Sequence, residues 1–189
     1  MNNLKYVGTR NKDITATASQ AILKGICDDG GLFIPESIPK IDKSLKELSK
    51  LDYKGLAYEI LKLYLTDFTE EELKYCINGA YDSKFDTPAI APVVKKGDVS
   101  VLELFHGRTI AFKDMALSIL PYLMKTAAKK NGIDKEIVIL TATSGDTGKA
   151  ALEGFAGVDG IRIIVFFPED GVSPVQKLQM VTQEGSNTC

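Results

Sequence analysis

Two nearly unbroken apolar runs in the second half of the chain constrain its fold more than any other feature. They are Glu-Ile-Val-Ile-Leu-Thr-Ala at residues 136–142 and Ile-Arg-Ile-Ile-Val-Phe-Phe at residues 161–167. Runs rich in β-branched and aromatic residues, without polar alternation, are typical of strands buried on both faces of a parallel sheet. The sequence therefore predicts an α/β fold with an open, mostly parallel sheet and helices on both faces.

Helical and strand patterns alternate from about residue 91 onward. The last helix is well marked, because Ser173 can cap it, Pro174 occupies its first position and Gln176 its third. Pro121 lies inside an earlier helical pattern, where its missing amide hydrogen should kink the helix. The sequence predicts a further strand at residues 99–104 and helices at residues 113–130, 148–156 and 174–183.

The first 90 residues have a different pattern, rich in helices with short extended pieces. Thr69 is followed three residues later by Glu72, which together form a capping box at a helix start. Helices are predicted at residues 19–26, 44–51, 55–65 and 69–80, with an extended piece at 32–35. We therefore predict an α-rich amino-terminal region over residues 1–90 and an α/β region over residues 91–189.

Composition excludes several classes of function. A net charge of −2, without basic clusters interleaved with aromatics, argues against nucleic acid as a partner. No apolar run approaches the roughly 20 residues of a membrane span, and the first residues do not resemble a secretory signal. The three cysteines are far apart, which predicts a reducing compartment and neither a disulfide framework nor a metal site. We expect a soluble, cytoplasmic protein.

The segment at residues 143–148, Thr-Ser-Gly-Asp-Thr-Gly, joins a predicted strand to a predicted helix. Helix amino termini favour phosphate or carboxylate, and ligands of open α/β sheets gather at the carboxyl ends of the strands. A tight turn with a Ser or Thr cap explains the same residues without a ligand. Thr143 and Ala150 stand where a nucleotide-binding P-loop requires Gly and Ser or Thr, which argues against a nucleoside triphosphatase.

Lys113 is the candidate nucleophile of the chain. It follows the apolar residues Ile110, Ala111 and Phe112, and apolar surroundings disfavour the charged form of an amine and so free its lone pair. A solvated lysine at a helix start fits the same pattern. His106 is the only histidine, which leaves little for a catalytic triad. It fits a structural histidine or a wall of a ligand cleft.

Taken together, these segments resemble threonine synthase, a pyridoxal-phosphate enzyme of the tryptophan-synthase β-like fold type. The motifs are long, and they occur in the order that the family shows. In the amino-terminal region the similar segments are residues 6–10, 19–25 and 29–36. In the remainder they are residues 105–107, Thr109, 111–114, 142–148 and 173–176.

The resemblance implies a reaction and a set of site residues. It makes Lys113 the catalytic residue that binds pyridoxal 5'-phosphate covalently and moves protons on the substrate. It makes Asp146 a neighbour of the cofactor's hydroxyl. The implied reaction converts O-phospho-L-homoserine and water into L-threonine and phosphate. The residues implied to hold the substrate carboxylate are Ser144, Gly145, Asp146, Thr147 and Gly148.

The chain departs from the family in two respects. Arg108 stands where the family usually has proline, so the loop before Lys113 is expected to be less rigid. Family members are more than twice as long, and the groups that hold the cofactor's phosphate and ring nitrogen lie in their carboxyl-terminal half. The sequence therefore predicts an amino-terminal portion that ends where a further strand begins, and that by itself binds the cofactor poorly.

Two other functions stay open on the sequence. One is another pyridoxal-phosphate lyase of the same fold, such as a threonine dehydratase-like enzyme. Asp146 and the long amino-terminal region argue against it, because related β-replacement enzymes tend to carry Asn in this loop. The other is a non-catalytic domain that binds a small anion or a partner.

Overall fold

A computed structural model describes residues 3–143 and 145–189 of the protein. The chain forms two compact units. The first contains the residues up to Gly79 together with Tyr122–Asp134, and the second contains Ala80–Pro121 together with Lys135–Cys189. The sequence predicted two regions, 1–90 and 91–189, and this division into domains stays a prediction.

The first unit combines a small antiparallel sheet with helices. Strands β1 (Tyr6–Gly8), β2 (Thr15–Ala16) and β3 (Phe33–Pro35) pair in the order β2-β1-β3. The helices predicted for this region are all present, with ends that differ by a few residues. They are α1 (Ala18–Lys24), α2 (Leu45–Leu48), α3 (Tyr53–Tyr64) and α4 (Glu70–Ala80).

Side-chain caps determine where these helices begin. Each cap accepts a hydrogen bond from a backbone N–H of the first turn, which has no partner inside the helix. In the capping box of α4, Glu72 N donates to Thr69 Oγ1 and Thr69 N donates to the Glu72 carboxylate, at 3.2 and 2.8 Å. The equivalent capping pairs are Thr17 with Gln20 for α1 and Ser44 with Glu47 for α2.

The second unit contains a hairpin and a parallel strand pair. Strands β4 (Val93–Lys96) and β5 (Val99–Leu102) pair antiparallel. Strand β6 pairs in parallel with β7, from Ile137 opposite Ile161 to Ala142 opposite Phe166. The remaining elements of the chain are α5 (Asp114–Leu117), α6 (Leu120–Lys130), β6 (Ile137–Ala142), α7 (Asp146–Phe155), β7 (Ile161–Phe166) and α8 (Pro174–Val181).

This architecture confirms the predicted α/β class, with two differences in detail. The strand predicted at residues 99–104 forms a hairpin with β4, a strand that the sequence pattern did not reveal. The single kinked helix predicted at residues 113–130 is two helices, α5 and α6. Pro121 is the second residue of α6, where a missing N–H costs little because it would have no acceptor inside the helix.

The core of the second unit lies between α7 and β7. Phe155, Ile161 and Ile163 are at most 1% exposed there. The opposite face of the parallel pair is open, since Leu140 is 67% and Phe166 is 59% exposed. The prediction that both strands are buried on both faces is therefore wrong for the described residues. Apolar side chains lie on both faces of the pair, but among the described residues only one face is covered.

A further parallel strand begins beside β7, as predicted. Thr188 forms a parallel bridge with Ile163, and Cys189 N donates to Ile163 O at 2.9 Å. Among the described residues, no helix is both long and apolar enough to cross a membrane.

Candidate active site

Lys113 stands immediately before α5, with helical backbone angles (φ −64°, ψ −21°). Its side chain is half-buried, and its Nζ lies 4.4 Å from the centroid of the Phe112 ring. An ammonium over an aromatic face is attracted by the ring. The apolar neighbour that the sequence indicated is therefore present beside the amine.

Asp114 organises the loop that leads to the lysine. The residue is 5% exposed, and its carboxylate accepts hydrogen bonds from Thr109 N at 2.8 Å and from Thr109 Oγ1 at 2.6 Å. A Cβ at Gly107 would lie 2.4 Å from Asp114 Oδ2, so the loop can close only with glycine there. Asp114 thus holds the residues before Lys113 in place, a role that the sequence pattern did not show.

Ile110 lies in the same loop with a positive φ of 65°. This conformation is strained for a β-branched residue, by roughly 1–3 kcal/mol. Ile110 N donates to Gly107 O at 3.0 Å, which closes the turn around the strained residue. The loop before Lys113 is therefore stabilised by its own hydrogen bonds. The expectation that Arg108 makes it less rigid than the family's loop stays a prediction.

The loop at the start of α7 contains the other predicted site residues. Of these, Gly145, Asp146, Thr147 and Gly148 are described, and Ser144 lies outside the described residues. Gly145 is the N-cap in an extended conformation (φ −178°) and provides no side-chain cap. Gly145 N donates to Thr143 Oγ1 at 3.2 Å, and Gly148 N donates to Gly145 O at 3.1 Å. Within the described part of the chain, the N–H groups of Asp146 and Thr147 are then the ones that can bind an anion at this helix start.

Asp146 is held by a residue that the sequence did not single out for the site. Gln176 on α8 donates from Nε2 to Asp146 Oδ1 at 2.9 Å, and its Oε1 accepts from Ser173 Oγ at 3.1 Å. A Cβ at Gly145 would lie 2.9 Å from Gln176 Nε2. The start of α8 therefore fixes the start of α7. The sequence signals for this were the capping pattern at Ser173 and the place of residues 173–176 among the family-like segments.

The Lys113 segment and the α7 loop are connected through packing of α5 on α7. A Cβ at Gly154 would lie 2.5 Å from Leu117 O, so the two helices approach closely. Arg108 Nη1 donates to Glu153 Oε1 at 2.9 Å. Burial opposes ionisation of Glu153, but the Arg108 hydrogen bond and the Lys149 charge together hold its pKa below the ordinary value. Arg108, the departure from the family pattern, thus ties the lysine loop to α7.

No hydrogen bond joins the Lys113 amine to the described residues of the α7 loop. The structure thus brings Asp146 together with Gln176, and it places Lys113 at the start of α5. His106 lies between two carboxylates in the same unit, with 13% of its side chain exposed.

The chain is similar to known proteins over nearly its whole length. Residues 5–81 match the family model described as the threonine synthase N terminus. Threonine synthase from Schizosaccharomyces pombe is 37% identical over 97% of this chain and 38% of its own length. The chain corresponds to the amino-terminal portion of the threonine synthases.

Solved structures extend the match from sequence to fold. The crystal structure of threonine synthase from yeast has a TM-score of 0.89 and 35% identity, over 98% of this chain and 40% of that one. The PLP-bound threonine synthase from Brucella melitensis has a TM-score of 0.85 and 35% identity, over 97% of this chain and 40% of that one. The chain thus spans about two fifths of the threonine synthases it matches.

Proposed function

We propose that this chain supplies the lysine and the substrate loop of a pyridoxal-phosphate-dependent threonine synthase. The proposed reaction converts O-phospho-L-homoserine and water into L-threonine and phosphate. The observation that carries the proposal is that both segments stand at helix starts in one unit, on two helices that pack together. Lys113 begins α5, and the uncapped loop at Gly145 begins α7, against which α5 packs. A cytoplasmic location is part of the same proposal.

The residues of this chain fit part of the cofactor. Lys113 offers an amine to the aldehyde carbon, and Asp146 offers a polar side chain at the loop where the resemblance places the cofactor's hydroxyl. When bound, pyridoxal phosphate supplies an electron sink for negative charge that develops on the substrate carbons.

The described residues supply orientation and proton transfer. The N–H groups at the start of α7 can hold the substrate carboxylate, since a helix amino terminus carries about half a positive charge. The Lys113 amine can carry protons between substrate carbons when its neutral form is present. Asp114 and Gln176 do not need to touch the substrate, because they hold Lys113 and Asp146 in position.

Reduction with borohydride tests the assignment of Lys113. The full-length gene product is incubated with pyridoxal phosphate, reduced, and mapped by peptide mass spectrometry. We expect the covalent adduct on Lys113, its loss in Lys113→Arg, and its retention in Lys177→Arg, which changes an exposed lysine on α8 of the same unit. An adduct on any other lysine would overturn the assignment.

Product analysis separates threonine synthase from the other two functions. Phosphate and threonine formed from O-phospho-L-homoserine support the proposal. Deamination of threonine without action on phosphohomoserine would instead identify a dehydratase-like enzyme. If the full-length protein forms no reducible adduct at all, a non-catalytic binding domain is the better description. For the 189-residue chain alone we expect weak cofactor binding and little or no turnover.

A further inference from the structure

His106 has a carboxylate on each of its ring nitrogens. Its Nδ1 lies 2.6 Å from Asp86 Oδ1, and its Nε2 lies 3.0 Å from Glu103 Oε2. A neutral imidazole carries one N–H, so it can donate to only one of two ionised carboxylates. Both contacts are satisfied as hydrogen bonds when the ring is the doubly protonated imidazolium.

The three residues come from two separate segments of the second unit. Asp86 lies between α4 and β4, Glu103 follows β5, and His106 begins the loop that leads to Lys113. A backbone bond reinforces the side-chain contacts, because Asp86 N donates to His106 O at 3.0 Å. The ring also stacks on Phe105, with centroids 4.6 Å apart. We call this group, Asp86, Glu103 and His106, the histidine clamp.

The clamp is connected to Lys113 through a short series of contacts. His106 is bonded to Gly107, whose carbonyl accepts from Ile110 N at 3.0 Å. Gly107 also packs directly against Asp114, the carboxylate that holds Thr109. A displacement of His106 would therefore alter the hydrogen bonds between Thr109 and Asp114, the residue that follows Lys113.

We propose that His106 is a positioning residue for Lys113, which as an imidazolium clamps the lysine loop to the segment before β4 and releases it on deprotonation. The consequence for catalysis rests on the proposed function, whereas the clamp itself does not. Neither the family resemblance nor the comparisons assign this role.

The electrostatic surroundings favour the charged ring. The hydrogen bond to Glu103, and then that to Asp86, raises the pKa of His106 above its ordinary value. The other charged side chains on these segments have partners of their own. Lys84 pairs with Asp82 at 2.7 Å, and Arg108 pairs with Glu153. The ordinary histidine pKa is about 6.5, so the clamp is complete below that pH and is lost as the pH rises through the raised value.

A proton NMR titration of the 189-residue chain tests the clamp directly, since the chain has one histidine and therefore one pair of imidazole signals. We expect a titration midpoint above that of a free histidine. Glu103→Gln and Asp86→Asn should each lower the midpoint. Glu136→Gln, which removes a carboxylate paired with Arg162 elsewhere in the same unit, should leave it unchanged.

The link to Lys113 is measured in the same titration. The backbone amide signals of residues 107–113 should shift with the midpoint of the His106 ring, and in Glu103→Gln they should follow the lowered midpoint. A wild-type midpoint at or below 6.5, or one that neither carboxylate variant moves, would overturn the clamp. If the Lys113 amide signal does not shift as the ring titrates, the positioning role of His106 is overturned.

Activity then distinguishes failure of the clamp from failure of the proposed function. If the titration behaves as expected but full-length protein forms no adduct on Lys113, the clamp stands and the threonine synthase assignment fails. If full-length protein is active, Glu103→Gln should shift the alkaline limb of its kcat profile to lower pH. An unshifted limb would contradict the positioning role.

Discussion

Replacing Asn187 should destabilise the turn between α7 and β7 more than its half-buried position suggests. Its Oδ1 accepts from Gly157 N at 2.8 Å, and its Nδ2 donates to Phe155 O and Ile161 O, both at 2.8 Å. A third carbonyl, Val158 O, lies at 3.3 Å from Nδ2, which is beyond the range of a good bond. One side chain thus bonds three backbone groups around the turn, of which Phe155 O also accepts from Val158 N at 3.2 Å.

The expected loss follows from those three good bonds. At a net 0.5–1.5 kcal/mol each, Asn187→Ala should lower the free energy of unfolding by about 2–3 kcal/mol, because the turn is partly open and water replaces some of the bonds. In a chain of this size that corresponds to a fall in Tm of roughly 5–10 °C. At neutral pH, Asn187→Asp should lower the free energy of unfolding further than Asn187→Ala does, since it places a carboxylate oxygen against carbonyl oxygens.

Urea denaturation followed by far-ultraviolet circular dichroism measures this loss. Ser186→Ala is the matched control, because Ser186 is the exposed neighbour and its hydroxyl should contribute little. If the free energy of unfolding of Asn187→Ala lies within about 0.5 kcal/mol of the wild-type value, the three bonds do not stabilise the turn as net hydrogen-bond energies imply. If Asn187→Asp is as stable as wild type, the donor role of Nδ2 is wrong.

Three further outcomes are expected. Hydrogen bonds from Lys43 and then Lys62 lower the pKa of Glu59, so Glu59→Gln should lower the urea midpoint at pH 7, and the difference from wild type should shrink as the pH falls below about 4. Gly154→Ala should lower Tm despite a helix-propensity gain of about 1 kcal/mol, because its methyl group would meet the carbonyl of α5, and a raised Tm would contradict that contact. Leu140→Lys should reduce self-association of the isolated chain in sedimentation velocity runs with an unchanged circular dichroism spectrum, because it interrupts the exposed apolar face of the parallel pair.

Local signals predicted most of the helices and strands. Thr69 and Ser173 marked the starts of α4 and α8 correctly, because a cap needs only residues within one turn. The two apolar runs predicted β6 and β7 to within a residue at each end. Strands β1, β2 and β4 were missed, since short strands without a strong pattern form only when a partner pairs with them.

The place of the candidate site residues at helix starts was predictable from the sequence, whereas their supporting contacts were not. Lys113 and Gly145 stand at helix starts, as the motifs indicated. The bonds from Thr109 to Asp114 and from Gln176 to Asp146 were not predicted. The second of these pairs is 30 residues apart in sequence, and side chains at that separation meet only through the packing of whole elements.

By itself, the sequence determined the α/β class, the helix starts and the position of the candidate lysine, because periodicity and capping act over a few residues. Only the tertiary structure decided that β5 pairs with β4, that one face of the parallel pair stays exposed, and that His106 lies between two carboxylates. The sequence alone allowed His106 to be a structural histidine or a cleft wall. Its charge state depends on carboxylates from Asp86 and Glu103. Glu103 is three residues away in sequence, but Asp86 is 20 residues away, and that hydrogen bond forms only when separate segments of the folded chain come within about 3 Å.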